Sequence, residues 1–328
     1  MDFFLPILTR FFSGEYLVVL VAVVVLTLSI KGSRRKGGER KPPSALILSR
    51  TALSWAAAIV VVGNIMFLLP LTVPDFGPAV IVPRPWEVLP GWTEYALIPA
   101  MGAVSMAVIL ITVLRWARRA RRVQARGLDP RPRQWWTFAP RRWLVTSGVL
   151  LAFTAVTIVV AGLVADEDEH GRSIFLTQAT PGGYGASDFP GWYYGTPVLI
   201  AVALLALIAV GALILVARSP LPQGPSRSDV EASRRHAAGE IVVIASCALA
   251  LTLGRLWIFV ALAGGMTTQV VTDQGEAFFG TPYAAVAPLI GFAGALLAGS
   301  GVGVLLAVIL RPRNRAESRA TADSPSAA

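Results

Sequence analysis

Arg255, in the run Thr252-Leu253-Gly254-Arg255-Leu256-Trp257, is the one charged residue deep inside an apolar stretch, and Asn64, in Val62-Gly63-Asn64-Ile65-Met66, is the one amide so placed. Nine residues separate Arg255 from Gly264, so at 1.5 Å per residue it sits farther from a membrane surface than its side chain comfortably reaches. A guanidinium held there pairs with something, and the chemistry open to it is recognition of an anion: a substrate carboxylate or a lipid phosphate. The bland alternative is a structural arginine capped by helix carbonyls, by Asn64 or by an acid such as Glu94 reaching inward. For Asn64 the ordinary role is a hydrogen bond to a neighbouring helix, worth about 0.6 kcal/mol, with ion coordination the sharper one.

Other chemistries fail for want of residues. The three lysines, Lys31, Lys36 and Lys41, lie outside every apolar run, so no Schiff base forms within a span. His170 and His236 are the only histidines and flank spans, which leaves haem and His/Cys metal sites without ligands. No Asp or Glu interrupts a span, so proton relays and cation-coupled transport lack their usual carriers. Ser147-Gly148 and Ser300-Gly301 have no intramembrane base to activate a nucleophile. Cys247 is alone, which forbids an internal disulfide. Gly299-Ser300-Gly301-Val302-Gly303 lacks the lysine and preceding strand of a phosphate loop. Thr180-Pro181-Gly182-Gly183-Tyr184-Gly185 superficially matches a potassium filter, but it lies outside the apolar runs beside four acids and reads better as an ordered external loop. No cofactor and no metal are expected.

The elements that position these residues follow from composition. With 55% hydrophobic and 15% charged residues over 328 positions and a mean hydropathy of +0.63, the chain is too apolar for a soluble protein. Seven spans are predicted at 16–30, 51–71, 95–114, 143–165, 197–217, 241–264 and 283–310, each of about the length that crosses hydrocarbon. They give an all-α integral membrane protein, one seven-helix bundle over residues 1–310. The segment 1–14 is expected to lie in the interface, and 311–328 to form a disordered cytoplasmic tail.

Orientation comes from arginine. The segments 31–50, 115–142, 218–240 and 311–328 carry 7, 10, 4 and 4 basic residues, whereas the opposite segments hold only Arg10, Arg84 and Arg172. Basic residues stay on the cytoplasmic side, so the N-terminus is expected outside and the C-terminus inside. All six tyrosines fall at or beyond the outer ends of spans, and Trp116, Trp135, Trp136 and Trp143 gather at the inner side, as aromatic belts do. Arginine in place of lysine suggests high-GC bacterial coding, and the expected location is a bacterial cytoplasmic membrane.

Two patterns bear on packing. Gly291, Ala295, Gly299 and Gly303 recur every four residues in the last span, a GxxxG-type face that lets backbones approach closely, so this helix is expected to be central to the bundle or to a dimer. Pro190-Gly191-Trp192 echoes Pro90-Gly91-Trp92, and Gly195-Thr196-Pro197 echoes Gly280-Thr281-Pro282. These echoes read either as a duplicated hairpin or as shared start signals for helices entering from outside.

The basic block 115–142, with Trp116, Ala120 and Val123 along one side of a helix from Arg115 to Arg126, could grip anionic lipid or dock a cytoplasmic partner. Nucleic acid is not expected, because the positive-inside rule already accounts for the net charge of +10. No stretch is specific enough to assign a family. The leading expectation is a permease-like component of a transport system without its own energy source. The competing one is a non-transporting sensor or assembly factor using the acidic, aromatic external loop Asp166–Thr196. An enzyme on lipid-linked substrates, with Arg255 as phosphate anchor and Glu94, Asp166 or Glu167 as bases, ranks third and has no motif behind it.

Overall fold

Unbroken runs of Val, Leu, Ile and Ala become helices in a membrane because the helix alone satisfies every backbone N–H and C=O within one segment. The computed structural model describes residues 14–35, 48, 50–68, 93–123, 134–180, 183–219, 227–272 and 275–310. Among the described residues are seven helices, α1 (Gly14–Arg35), α2 (Arg50–Leu68), α3 (Thr93–Val123), α4 (Arg141–Val164), α5 (Trp192–Arg218), α6 (Arg227–Gly264) and α7 (Ala287–Leu310). Five of them, α3 to α7, are long and apolar enough to cross a membrane. In α1 and α2 the corresponding apolar stretches, Val18–Ser29 and Thr51–Asn64, are shorter. The interfacial segment 1–13, the loop holding Pro90-Gly91-Trp92 and the tail 311–328 lie outside the described residues.

The helices are consistent with the expected all-α bundle, to which short strands are added. Two antiparallel β elements follow helices whose ends share one side of the bundle. The first is a sheet in the order β1 (Asp166–Glu167), β2 (Ser173–Thr180), β3 (Gly183–Asp188), with Phe175 opposite Asp188 and Thr180 opposite Gly183. The second pairs β4 (Thr267–Thr272) with β5 (Gly275–Gly280). Of the filter-like segment, Thr180 thus ends β2 and Gly183 to Gly185 open β3. The paired Gly-Thr-Pro motifs also part company. Gly195-Thr196-Pro197 lies inside the first turns of α5, whereas Gly280 ends β5 and Pro282 belongs to the turns before α7. Matching start signals therefore fold differently, and Tyr283 precedes α7 rather than opening it.

The organising helix is α6. It packs against α2, α3, α4, α5 and α7, and 83% of its apolar stretch is buried against 50% for α7, which makes α6 and not the glycine-rich last helix the most enclosed. Its 38 residues run about 57 Å at 1.5 Å per residue, longer than the predicted span because Arg227 to Glu240 continue as helix. The backbones of α6 and α7 meet at Gly254 and Gly294, where a methyl on Gly254 would lie 2.5 Å from the Gly294 carbonyl oxygen. The predicted small-residue face divides between two neighbours. Gly291 faces Ala261 of α6, Gly299 and Gly303 face Val18, Val21, Ala22 and Val25 of α1, and Ala295 is fully buried. That face is occupied within one chain.

Candidate functional site

Arg255 and Asn64 come together. Arg255 Nε donates to Asn64 Oδ1 at 3.4 Å, linking α6 to α2, and the two residues are 5% and 1% exposed. Of the two readings, the contact realised is the interhelical one. One turn further along α6, Phe259 stacks on Tyr95 of α3 with ring centroids 4.3 Å apart, and Tyr194 of α5 packs edge-to-face with both rings. Further polar contacts brace the bundle: Ser105 Oγ donates to the Ala56 carbonyl at 2.7 Å, and Ser147 and Ser246 share a hydroxyl hydrogen bond of 2.6 Å between α4 and α6.

The layer of β1, β2 and β3 is built around Asp168. Its carboxylate accepts from the amides of His170 and Arg172 at 2.9 and 2.8 Å and from the Arg172 guanidinium at 2.6 and 2.7 Å, folding the turn between β1 and β2 around itself. Gly171 supplies the positive φ of 71° that this turn requires. Hydrogen bonds from Arg172 hold the Asp168 carboxyl at about 2, well below its ordinary 3.8, and the ion pair raises the arginine. Asp166 fixes the sheet from the other side, accepting from Thr177 N and Oγ1 at 2.9 and 2.5 Å. Arg172 also lies 5.3 Å over the ring of Tyr193, at the start of α5. Beneath the sheet, Leu176 and Phe189 pack on Ala161 of α4 and Ala263 of α6. The loop expected around Asp166–Thr196 is therefore a structured layer fastened to the helix ends, with the Tyr184 ring 85% exposed at its tip.

Beside this layer, α4, α6 and α7 leave a cleft of about 400 Å3. Its floor is Trp257, Val260 and Gly264 of α6, and Phe189 lines it at the sheet. The Trp257 ring donates its N–H to Thr157 Oγ1 at 3.0 Å across the cleft, so these two polar groups satisfy each other.

A feature that sequence reasoning missed lies at the opposite end. Arg234, in the basic extension of α6, is fully buried, donates to the Ser219 carbonyl at the end of α5, and places its guanidinium 5.6 Å from the Phe138 ring centroid. It pins the start of α6 between α5 and the turn that opens α4. The only hint was the helical spacing of Glu231–Arg235 and His236–Glu240, which the structure brings to 3.5 and 3.9 Å. Within the basic block, α3 continues to Val123, with Arg115 and Arg118 exposed and Trp116 half-buried; residues 124–133 and the side chains of Ala120 and Val123 lie outside the description. Among the described residues no group of three His, Cys, Asp or Glu side chains could hold a metal. The chain matches no known protein family, and no curated protein or solved structure is significantly similar to it.

Proposed function

We propose that this chain is a non-transporting membrane protein, a sensor or assembly factor, that engages a partner through the hairpin layer on its outer face. In this reading all seven helices cross a bacterial cytoplasmic membrane with the N-terminus outside. The 25 basic residues of the four inner segments, against three outside, support that orientation. It puts both β elements on the outer side together.

The observation that carries the proposal is the Asp168–Arg172 clamp and the apolar seat of Leu176 and Phe189 beneath it. A connecting loop needs neither. A sheet pinned to helix ends, with Tyr184 projecting and β3 at its edge, offers an ordered surface and a free strand edge for an extended segment of a partner. The test replaces residues 166–188 with a Gly/Ser linker and, separately, places a photo-crosslinking amino acid at Tyr184 in the native host. The reading expects loss of the cellular phenotype with the linker and one discrete crosslinked partner at Tyr184. An unchanged phenotype and no adduct overturn it.

A permease-like role keeps one specific point in its favour, the arginine deep in α6. Against it stands the burial of both Arg255 and Asn64 in an interhelical contact. Flux through reconstituted vesicles that disappears in Arg255→Leu, with the variant still inserted, would favour transport; normal flux in that variant would remove the arginine from it.

A further inference from the structure

We propose that the cleft between α4, α6 and α7 is a binding site for one hydrocarbon chain of a membrane lipid, entered sideways from the bilayer. The inference is independent of the partner reading above and rests on the shape and chemistry of the cleft.

Length comes first. On α4 the cleft runs from Phe153 to Val164, about 16 Å at 1.5 Å per residue, which is about half of a ~30 Å hydrocarbon core. It thus matches the depth of a single leaflet. Aromatic rings mark both ends: Phe189, seated on Ala161, lines the end at the sheet, and the Phe153 ring meets Trp257 edge-on at 6.2 Å at the other. The side stays open, since Val156 and Val160 on its rim are 59% and 53% exposed to what surrounds the bundle.

Three small residues create the space, Ala161, Gly264 and Ala287, one on each wall. The lining is almost wholly apolar, and its indole N–H is already bonded to Thr157, so water finds too few partners there. A flexible chain one leaflet long meets the length and the chemistry together.

The experiment reconstitutes the full chain in nanodiscs of phosphatidylcholine containing a small fraction of the same lipid with a diazirine at the end of one acyl chain. After irradiation, adducts are mapped by mass spectrometry. The proposal expects adducts on Trp257 and Ile290, both set back from the surface, several-fold above those on Leu207 of α5, a control that is 69% exposed to the bilayer. Val160→Trp at the rim, and independently Ala287→Leu in the wall, should cut the cleft adducts several-fold and leave Leu207 unchanged. The variant whose melting profile matches wild type is the one scored. As a second readout, phospholipid brominated near the chain end should quench the emission that disappears in Trp257→Phe. Cleft labelling no greater than at Leu207, or insensitive to both fillers, reduces the cleft to ordinary contact with surrounding lipid and overturns the proposal.

Discussion

Replacing Gly254 with alanine probes the point where the two most intimately packed helices touch backbone to backbone. The added methyl would stand 2.5 Å from the Gly294 carbonyl oxygen and 2.7 Å from the Ala298 nitrogen. Neither atom moves with a rotamer, so relief has to come from the helices themselves. Restoring a contact of about 3.5 Å requires α6 and α7 to part by about 1 Å at the crossing. Overpacking of this kind costs about 1–3 kcal/mol, only partly offset by the gain of up to about 1 kcal/mol that alanine brings to a helix. The assay is built into the chain, because its single cysteine, Cys247, is buried on the same helix. A thiol-reactive fluorogenic maleimide in mild detergent reports melting as that thiol becomes accessible. Gly254→Ala is expected to melt several degrees below wild type. Gly148→Ala, where an added methyl meets nothing within 4 Å, should melt at or above it. Gly294→Ala should resemble Gly254→Ala, and the double variant should cost less than the sum, since one opening relieves both clashes. A Gly254→Ala protein as stable as the Gly148→Ala control would refute this account of the crossing.

Two further outcomes follow from the polar contacts. Asn64→Leu withdraws an acceptor from a buried guanidinium and should lower stability by about 1–3 kcal/mol, whereas Arg255→Met, which removes the charge along with its needs, should cost less; the same thiol melt ranks the two, and a neutral Asn64→Leu would mean the pair holds nothing. In the outer layer the depressed Asp168 carboxyl stabilises the folded turn fully above its unfolded value near 3.8, and that contribution drains away as the pH falls toward about 2. Hydrogen exchange at the His170 and Arg172 amides, corrected for intrinsic rates, should therefore accelerate between pH 4 and pH 2 in wild type and already be fast at pH 5 in Asp168→Asn.

What the sequence displayed and what it concealed divide along physical lines. Helices were legible because a run such as Trp192–Arg218 has no other way to satisfy its backbone in lipid. The Arg255–Asn64 contact was legible in outline, since two isolated polar groups in an apolar bundle seek each other. The strands were not, because Ser173–Thr180 mixes apolar and polar residues without the strict alternation of a half-buried strand, and its fixing contact, from Asp166 to Thr177, spans 11 residues. The helical extension from Arg227 to Glu240 hid behind its charge, which reads as loop until the i,i+4 pairs are counted. Arg234 hid among neighbouring exposed residues for the same reason. The close-packed face of α7 was legible from its small residues, which the structure sets against α6 and α1; such residues report that backbones approach, and say nothing of how many neighbours a helix has. It is α6, with ordinary Ala, Leu and Ile packing on several sides, that the bundle encloses.

The arrangement of the hairpin layer outside and the basic segments inside is tested most directly by thiol labelling in intact cells. In a Cys247→Ser background, single cysteines are placed at Tyr184 on the β2–β3 tip and at Arg235 on the extension of α6, both exposed. A membrane-impermeant maleimide should label the Tyr184→Cys protein in intact cells and the Arg235→Cys protein only after permeabilisation. Labelling of Arg235→Cys from outside, with Tyr184→Cys protected until the cells are opened, would contradict the account.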